Sequence, residues 1–175
     1  SFHARDRILV VLKSGECYTS DFSDSIHIEE NLLRIEKNEP RKIWTAVYYD
    51  ADQKYHYIKR FSIEEDQKRE NILGENPKNE LLLLTDTYYP RLLIGRQEKG
   101  GELRTTEIDV EEFALVKSIR ARGKRIAPYL IDQVEELPPL KESPVFESEH
   151  DESIAETEEE EADLFAGQTE DSSNE

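Results

Sequence analysis

Residues 42–63, KIWTAVYYDADQKYHYIKRFSI, constrain the fold more than any other stretch of this chain. They contain two runs rich in aromatic and β-branched residues, which favour strands, joined by the polar segment DADQK. Side chains alternate between the two faces of a strand, so Trp44 and Tyr48 share one face of the first run. Tyr57 and Phe61 likewise share one face of the second run. The sequence therefore predicts a β-hairpin with an aromatic face, in whose packing Trp44 is buried.

Two cations stand side by side near the end of this hairpin. Lys59 and Arg60 point to opposite faces of the predicted strand, at the close of an aromatic run. Cationic side chains suit phosphate oxygens, whose contacts fix the position of a nucleic acid without reading its sequence. Both residues are therefore predicted to contact phosphate at the edge of a packed sheet.

Apolar runs separated by polar turns recur along the rest of the chain. Predicted hairpin units, each a run, a turn and a return strand, begin near Arg7, Ile43, Arg91 and Phe113. In the last unit, residues 113–119 and 124–131 flank a loop at 120–123. Residues 64–80 are predicted to be a long connection, while residues 24–38 fit either a short helix or an extended segment. This uneven repetition predicts an all-β fold of propeller-like, or β-pinwheel, hairpin blades in a partial array.

The residue types that carry catalysis or bind metals form no recognisable constellation. Asp50 and Asp52 begin like a calcium-binding loop, but the Gly and the bidentate Glu of such a loop are missing. The histidines lack Cys or His neighbours at ligand spacing, and a structural role is expected for His56. Cys17 lies in a predicted strand, where packing is its expected role. We therefore expect no catalytic residue, no metal site and no cofactor.

The apolar runs are also too short for a membrane helix, which needs about 18 residues. The chain starts without a secretory leader, and its single Cys cannot form an internal disulfide. These features predict a cytoplasmic location with no membrane contact. The absence of any Met, including an initiator, predicts that the chain is part of a longer polypeptide.

Five cations lie close together around Gly123. They are Lys117, Arg120, Arg122, Lys124 and Arg125. Guanidinium groups bind phosphate oxygens in a two-pronged manner, and Gly123 is expected to let the main chain approach a ligand closely. Arg104 is a further candidate, because the neighbouring Thr105 and Thr106 also offer hydroxyl groups to phosphate. On charge alone, a phosphate-backbone clamp and a merely solvated loop both remain open.

Three segments resemble a known family in their order along the chain: ILVVLKSGECYTSDF, IWTAVYYDADQKYHYIKRFSI and FALVKSIRARGKRIAPYLIDQV. They look like the C-terminal domain of the A subunit of bacterial type IIA topoisomerases, most closely of the Bacteroidetes topoisomerase IV type. The resemblance covers residues 7–137 and is most specific at YIKRF (57–61) and ARGKRI (121–126). It implies a β-pinwheel whose positively charged rim binds duplex DNA beside a catalytic core.

By this resemblance the chain is a DNA-positioning domain that does not cleave DNA, since the family's catalytic tyrosine belongs to the N-terminal part of the enzyme. The implied partners are duplex DNA and, through the rest of the parent enzyme, the B subunit of the topoisomerase, with a location at the nucleoid. There are too few hairpins for a complete five- or six-bladed ring. The glutamine-arginine-glycine-rich box of gyrase is missing, which favours topoisomerase IV. The domain is not strongly basic, which lowers the expected DNA affinity.

The net charge of −17 is concentrated at the end of the chain. Residues 141–175 hold 14 acidic residues and one basic residue, whereas residues 1–140 hold 26 acidic and 22 basic residues. The domain is therefore assigned to residues 1–137, followed by an acidic tail at 138–175 that is predicted to be disordered. Two roles are open for the tail: a solubility segment, or an intramolecular contact that competes with DNA.

Two other functional classes are kept beside the DNA-contacting domain. The first is an acidic, β-rich protein-interaction module without DNA binding. Its docking surface would be formed by Tyr48, Tyr49, Tyr88 and Tyr89. A salt titration separates the two, because phosphate neutralisation makes DNA affinity fall steeply with salt. The second class, an enzyme in its own right, is the less favoured.

Overall fold

The computed structural model describes residues 7–21 and 30–146. The chain divides into two units, Ser1–Ser143 and Pro144–Glu175. Only residues 144–146 of the second unit are described, and they contain neither helix nor strand. The predicted acidic tail therefore lies largely outside the described residues.

Strands are almost the only regular secondary structure in the described part of the first unit. Its strands are β1 (Arg7–Leu12), β2 (Glu16–Asp21), β3 (Leu32–Lys37), β4 (Trp44–Asp50), β5 (Tyr55–Phe61), β6 (Glu70–Asn71), β7 (Glu80–Thr85), β8 (Arg91–Gln97), β9 (Leu103–Asp109), β10 (Val116–Lys117), β11 (Lys124–Arg125) and β12 (Gln133–Leu137). A single-turn helix, α1 (Val110–Phe113), follows β9. The prediction of an all-β fold is confirmed.

Three hairpins build three sheets, which we call blades 1 to 3. Blade 1 has the strand order β3-β1-β2-β6, and blade 3 has the order β12-β8-β9. Blade 2 has the order β10-β5-β4-β7, with β11 also paired to β5. In each blade an antiparallel hairpin pairs its first strand with a later strand, namely β3, β7 or β12. The second strands of blades 1 and 2 are covered by short strands that the chain supplies after its next hairpin.

The turns of the hairpins follow from local side-chain chemistry. In the β4–β5 turn, the Asp50 carboxylate accepts hydrogen bonds from the main-chain N–H groups of Asp52 (2.9 Å) and Gln53 (3.0 Å). Lys54 closes this turn with a φ of 64°. Gly15 has a φ of 98° in the β1–β2 turn, a conformation that glycine adopts without steric cost. The predicted β1–β2 and β4–β5 hairpins are therefore confirmed, and the Asp50 segment forms a turn.

Apolar side chains pack between neighbouring blades. The first core lies between blades 1 and 2 and includes Leu9, Cys17, Trp44 and Phe61. Trp44 is only 1% exposed, as predicted. The second core lies between blades 2 and 3 and is made of the opposite faces, such as Ile58 on β5. Alternation along β5 thus feeds both cores.

The structure decides between the two alternatives for residues 24–38 in part, and it contradicts the fourth predicted hairpin. Residues 32–37 of the undecided segment form an extended strand, β3. The predicted fourth hairpin, however, is wrong: β10 and β11 do not pair with each other, because both pair with the same edge of β5. The strands are also shorter than predicted, because only 116–117 of residues 113–119 and 124–125 of residues 124–131 are paired.

Candidate nucleic-acid interface

Residues 116–125 form an anchored loop over the edge of blade 2, which we call the arch. At its start, β10 pairs parallel with β5 at Arg60 and Phe61. At its end, β11 pairs antiparallel with β5 at Tyr57 and Ile58. Because both ends are hydrogen-bonded to one strand, the loop between them is held at a fixed span.

Further contacts hold the middle of the arch. Ile119 is buried in the first core, so the loop is fixed by an apolar side chain as well as by its ends. The main-chain N–H of Gly123 donates to the Tyr48 hydroxyl at 3.0 Å. The main-chain N–H of Ala121 donates to the carbonyl of Ser118 at 2.9 Å, which closes a turn inside the arch. The arch is therefore a preorganised loop rather than a free one.

Gly123 has a different role from the one expected. A Cβ at this position would lie 2.4 Å from the carbonyl oxygen of Ile58 and 2.9 Å from the Cβ of Lys59. Real Cβ atoms do not approach so closely, so only glycine lets the arch lie against β5. Glycine is required at this position because the main chain of the arch lies close to β5. The prediction that Gly123 serves the approach of the main chain to a ligand is therefore corrected.

All five cations of the predicted cluster are exposed on the arch. Two of them have carboxylate neighbours. Arg120 forms an ion pair with Glu70 at 2.7 Å, and Arg122 lies 3.9 Å from Asp50. The Arg120 and Arg122 side chains are 76% and 60% exposed, so solvent screens both pairs. An arriving phosphate can therefore compete with the carboxylates for these guanidinium groups.

The other cations of the arch have no carboxylate partner among the described residues. The Lys124 ammonium donates to the carbonyl of Phe113 at 3.1 Å and lies 4.4 Å from the centre of its ring. The Arg125 guanidinium lies 4.6 Å from the centre of the Tyr55 ring. The Lys117 side chain has no hydrogen bond or ion pair with another group in the part of the chain that the structure describes. The contacts of Lys124 and Arg125 orient their side chains without neutralising their charge.

Two cavities flank the arch and differ in charge. One, of about 350 Å³, is lined by Lys117 and Lys124 together with apolar groups such as Leu115. The other, of about 280 Å³, is lined by Asp52 and Glu75 beside the arginines of the arch. The first cavity is lined by five cationic side chains and no carboxylate, whereas the second is lined by three cations and three carboxylates. A phosphate is therefore expected to approach from the side of the two lysines.

Lys59 and Arg60 do not belong to this exposed set. They are 5% and 6% exposed, and they point to opposite faces of β5, as the alternation predicted. The Lys59 ammonium donates to the carbonyls of Ile72 and Ile119. The Arg60 guanidinium donates to the carbonyls of Ala114 and Tyr88, each at 3.2 Å. The expected phosphate contact of both residues is corrected, because their cationic groups are used inside the domain.

Arg104 lies on β9 in blade 3 and is separate from the arch in the topology. Its guanidinium pairs with Glu98 at 3.0 Å, and its side chain is 70% exposed. The neighbouring Thr105 and Thr106 are exposed as well. The structure therefore leaves Arg104 accessible but does not bring it to the cluster.

The tyrosines proposed for a protein-docking surface do not form one patch. Tyr48 is buried, with its ring 5.8 Å from that of Tyr57 in the first core. Tyr88 and Tyr89 contact each other at 4.9 Å between ring centres, in the loop after β7. The predicted docking surface loses one of its members to the core.

The remaining reactive groups are structural. Burial raises the pKa of the Cys17 thiol to about 12, so the thiol stays protonated at neutral pH. The Nδ1 atom of His56 accepts a hydrogen bond from the N–H of Ile131 at 3.2 Å. Within residues 7–21 and 30–146, no group of three or more His, Cys, Asp or Glu residues is placed to hold a metal ion. The same described ranges contain no helix long and apolar enough to cross a membrane.

Sequence reasoning found the cations of the arch but missed what fixes them. Tyr48 and His56 hold the arch from residues about 70 positions away. The signal available in the sequence was the apolar residue Ile119 between the cations Lys117 and Arg120. A large apolar residue in a charged loop indicates that the loop is anchored in a core at that position.

Comparison with known proteins gives one match. The family model for the topoisomerase C-terminal domain of Bacteroidota matches residues 1–138. No curated protein and no solved structure matches the chain.

Proposed function

The chain belongs to the family of topoisomerase C-terminal domains of Bacteroidota, and we propose that its arch binds the backbone of duplex DNA. A C-terminal domain of this family is an accessory region, so the domain positions a DNA segment for a catalytic centre that lies elsewhere. The parent we propose is the A subunit of a type IIA enzyme, topoisomerase IV, which acts together with the B subunit at the nucleoid in the cytoplasm.

The observation that carries this proposal is the set of exposed cations on an anchored loop. Lys117, Lys124 and Arg125 project from a span that is fixed at both ends on β5. Arg120 and Arg122 add two guanidinium forks, which suit phosphate oxygens. Side chains that bind phosphate carry no base information, so the contact is expected to be independent of sequence.

The test replaces Arg120, Arg122 and Lys124 by Ala and measures affinity for two duplexes of equal length and unrelated sequence. The same factor of weakening is expected for both duplexes, because only backbone contacts are lost. The matched control replaces the exposed Lys13, Lys78 and Lys99, which changes the net charge equally but leaves the arch intact. Equal weakening by both triple variants would show a general charge effect and reject the arch as the interface.

We further propose that the acidic tail competes with DNA for the arch. Residues 141–175 carry 14 acidic residues and one basic residue on the same chain, so their local concentration near a flexible attachment is on the order of millimolar. Leu164 and Phe165 offer one apolar anchor within this acidic run. Truncation after Leu140 should tighten DNA binding at low salt and matter less as salt rises. Equal affinities of the two chains at low salt would leave only a role in solubility.

A further inference from the structure

Lys59 is a buried cation beneath the arch. Its side chain extends from β5 into the first core, where it is 5% exposed. Its ammonium donates to the carbonyl of Ile72 at 2.7 Å and to the carbonyl of Ile119. It forms no ion pair with a carboxylate among the described residues. A charge is rarely kept in such a place unless its hydrogen bonds serve a purpose that a neutral side chain cannot fulfil.

The two carbonyls belong to different segments. Ile119 lies in the arch, whereas Ile72 lies in residues 64–74, which we call the first strap. The first strap covers the edge of blade 1, where β6 pairs with β2 and Glu70 lies opposite Cys17. One ammonium therefore holds both the arch and the first strap against β5. The surface pair of Arg120 and Glu70 also joins the two segments, but it is screened by solvent.

We propose that Lys59 is a positioning residue, which fixes the arch and the first strap together and so preorganises the exposed cations for phosphate. The effect on DNA rests on the function proposed above. The coupling of the two segments does not, because it is a property of the domain alone. Lys59 acts through Ile119, and it makes no contact with DNA itself.

The buried charge of Lys59 lowers the stability of the folded domain at neutral pH, so stabilising the fold does not explain why the charge is there. Burial lowers the pKa of the ammonium from 10.5 to about 8, and the facing Cys17 opposes this shift. The other charged groups around it are Glu70 beside Cys17 and, along the adjoining cavity of mixed charge, Asp50, Asp52, Glu75, Arg120 and Arg122. Because the pKa of the Lys59 ammonium is lower in the folded chain than in the unfolded chain, its charge lowers the free energy of unfolding below about pH 8. This cost disappears as the pH rises toward 10.5.

Replacing Lys59 by Met tests the proposal at pH 7. Met fills similar space and removes the cost of the buried charge, which offsets in global unfolding the cost of two carbonyls left without a donor, so the melting temperature should change little. The two segments lose their common hydrogen bonds and should open more often. Cys17 is the only cysteine, is fully buried and lies beneath the first strap, so its alkylation rate reports opening of that strap. The rate should rise about 10- to 100-fold, as expected for the loss of hydrogen bonds to a charged group.

Amide hydrogen exchange in residues 118–123 reports opening of the arch and should accelerate in parallel. The matched control is Tyr48→Phe, which removes the bond to Gly123 and touches the arch alone. This control should accelerate exchange in the arch and leave the Cys17 alkylation rate unchanged. Loss of the Lys59 charge raises the pKa of Cys17, so faster alkylation of the Met variant has no electrostatic explanation.

Binding to duplex DNA supplies the second readout. Lys59→Met should weaken binding about three- to tenfold, because the cations of a loosened arch must be ordered on binding. Lys59→Gln lacks the charge but keeps N–H donors, and it should restore part of the affinity and part of the slow Cys17 alkylation.

The coupling, the positioning role and the proposed function are each contradicted by a different result. Unchanged Cys17 alkylation in Lys59→Met would overturn the coupling, and so would an acceleration that a fall in melting temperature accounts for. Equal loss of DNA affinity in the Met and Gln variants would overturn positioning in favour of a plain charge effect. Loosened segments in a domain whose unmodified form binds no DNA would reject the proposed function and leave the coupling standing.

Discussion

The first strap and the arch perform the same structural task with different residues. Each covers the edge of the second strand of a hairpin, β2 in blade 1 and β5 in blade 2. The first strap does so with a two-residue strand and then inserts Ile72 and Leu73 into the first core. The arch uses two separated strands and inserts only Ile119. Covering an exposed edge prevents unwanted strand pairing, and a short segment is sufficient for it.

The arch differs from the first strap because its longer loop carries exposed cations. In the first strap, the guanidinium of Arg69 lies over the Tyr18 ring and pairs with Glu16, so it is occupied within blade 1. In the arch, the chain between the two strands carries cations outward on a fixed span. Edge protection accounts for the first strap, whereas the exposed cations of the arch are not needed for it and form the proposed DNA interface.

The largest expected effect comes from the core beneath both segments. Trp44 is buried between blades 1 and 2, in the same core as Ile72 of the first strap and Ile119 of the arch. Trp44→Ala should lower the free energy of unfolding by about 3 to 5 kcal/mol. Urea unfolding followed by circular dichroism measures the change. A loss below about 1 kcal/mol, far under the range for such a truncation, would show that the two segments do not depend on a common core.

Removal of the apolar anchor of the first strap should cost slightly less. Ile72 is 1% exposed, so Ile72→Ala is expected to lower the free energy of unfolding by about 2 to 5 kcal/mol. The slope of log DNA affinity against log salt should not change, because no cation is lost. A changed slope at full folding would mean that the first strap takes part in the interface and would remove the contrast with the arch.

A smaller effect is expected at the contact between the arch and β5. Gly123→Ala places a Cβ against the Ile58 carbonyl, so the arch must shift away from the strand. Stability should fall by about 1 to 3 kcal/mol, with weaker DNA binding as the cations move. Gly100→Ala is the matched control, since nothing lies within 4 Å of its added Cβ. If the two variants behaved alike, the fixed span of the arch would have no influence on binding.

The sequence was sufficient where the determining contacts are local. The β4–β5 hairpin follows from alternation and from the Asp50 turn, and both lie within residues 42–63. Alternation also placed Lys59 and Arg60 on opposite faces correctly. Their burial was beyond a local pattern, because the groups that cover Lys59 come from Ile72 and Ile119, up to 60 positions away. Charge alone does not distinguish a cation that binds carbonyl groups inside a domain from one that is exposed.

The same limit applies to the arch. Its apolar and basic residues predicted strands and a charged loop, yet the choice of β5 as the common partner depends on the order of the blades. Gly123 shows this most clearly, because the carbonyl that excludes any larger residue belongs to Ile58, on a strand far earlier in the chain. Tertiary pairing thus decided which of the cations that the sequence shows lie together on the proposed interface.

The most direct test of the contrast compares the salt dependence of DNA affinity in three chains. These are the unmodified chain, the arch variant with Arg120, Arg122 and Lys124 replaced by Ala, and a first-strap variant with Lys68→Ala and Arg69→Ala. Each lost phosphate contact reduces the slope of log affinity against log salt by about 0.9. The arch variant should therefore show a slope shallower by up to about 2.7, while the first-strap variant keeps the slope of the unmodified chain. An unchanged slope in the arch variant, or an equal reduction in both variants, would contradict the assignment of the DNA interface to the arch.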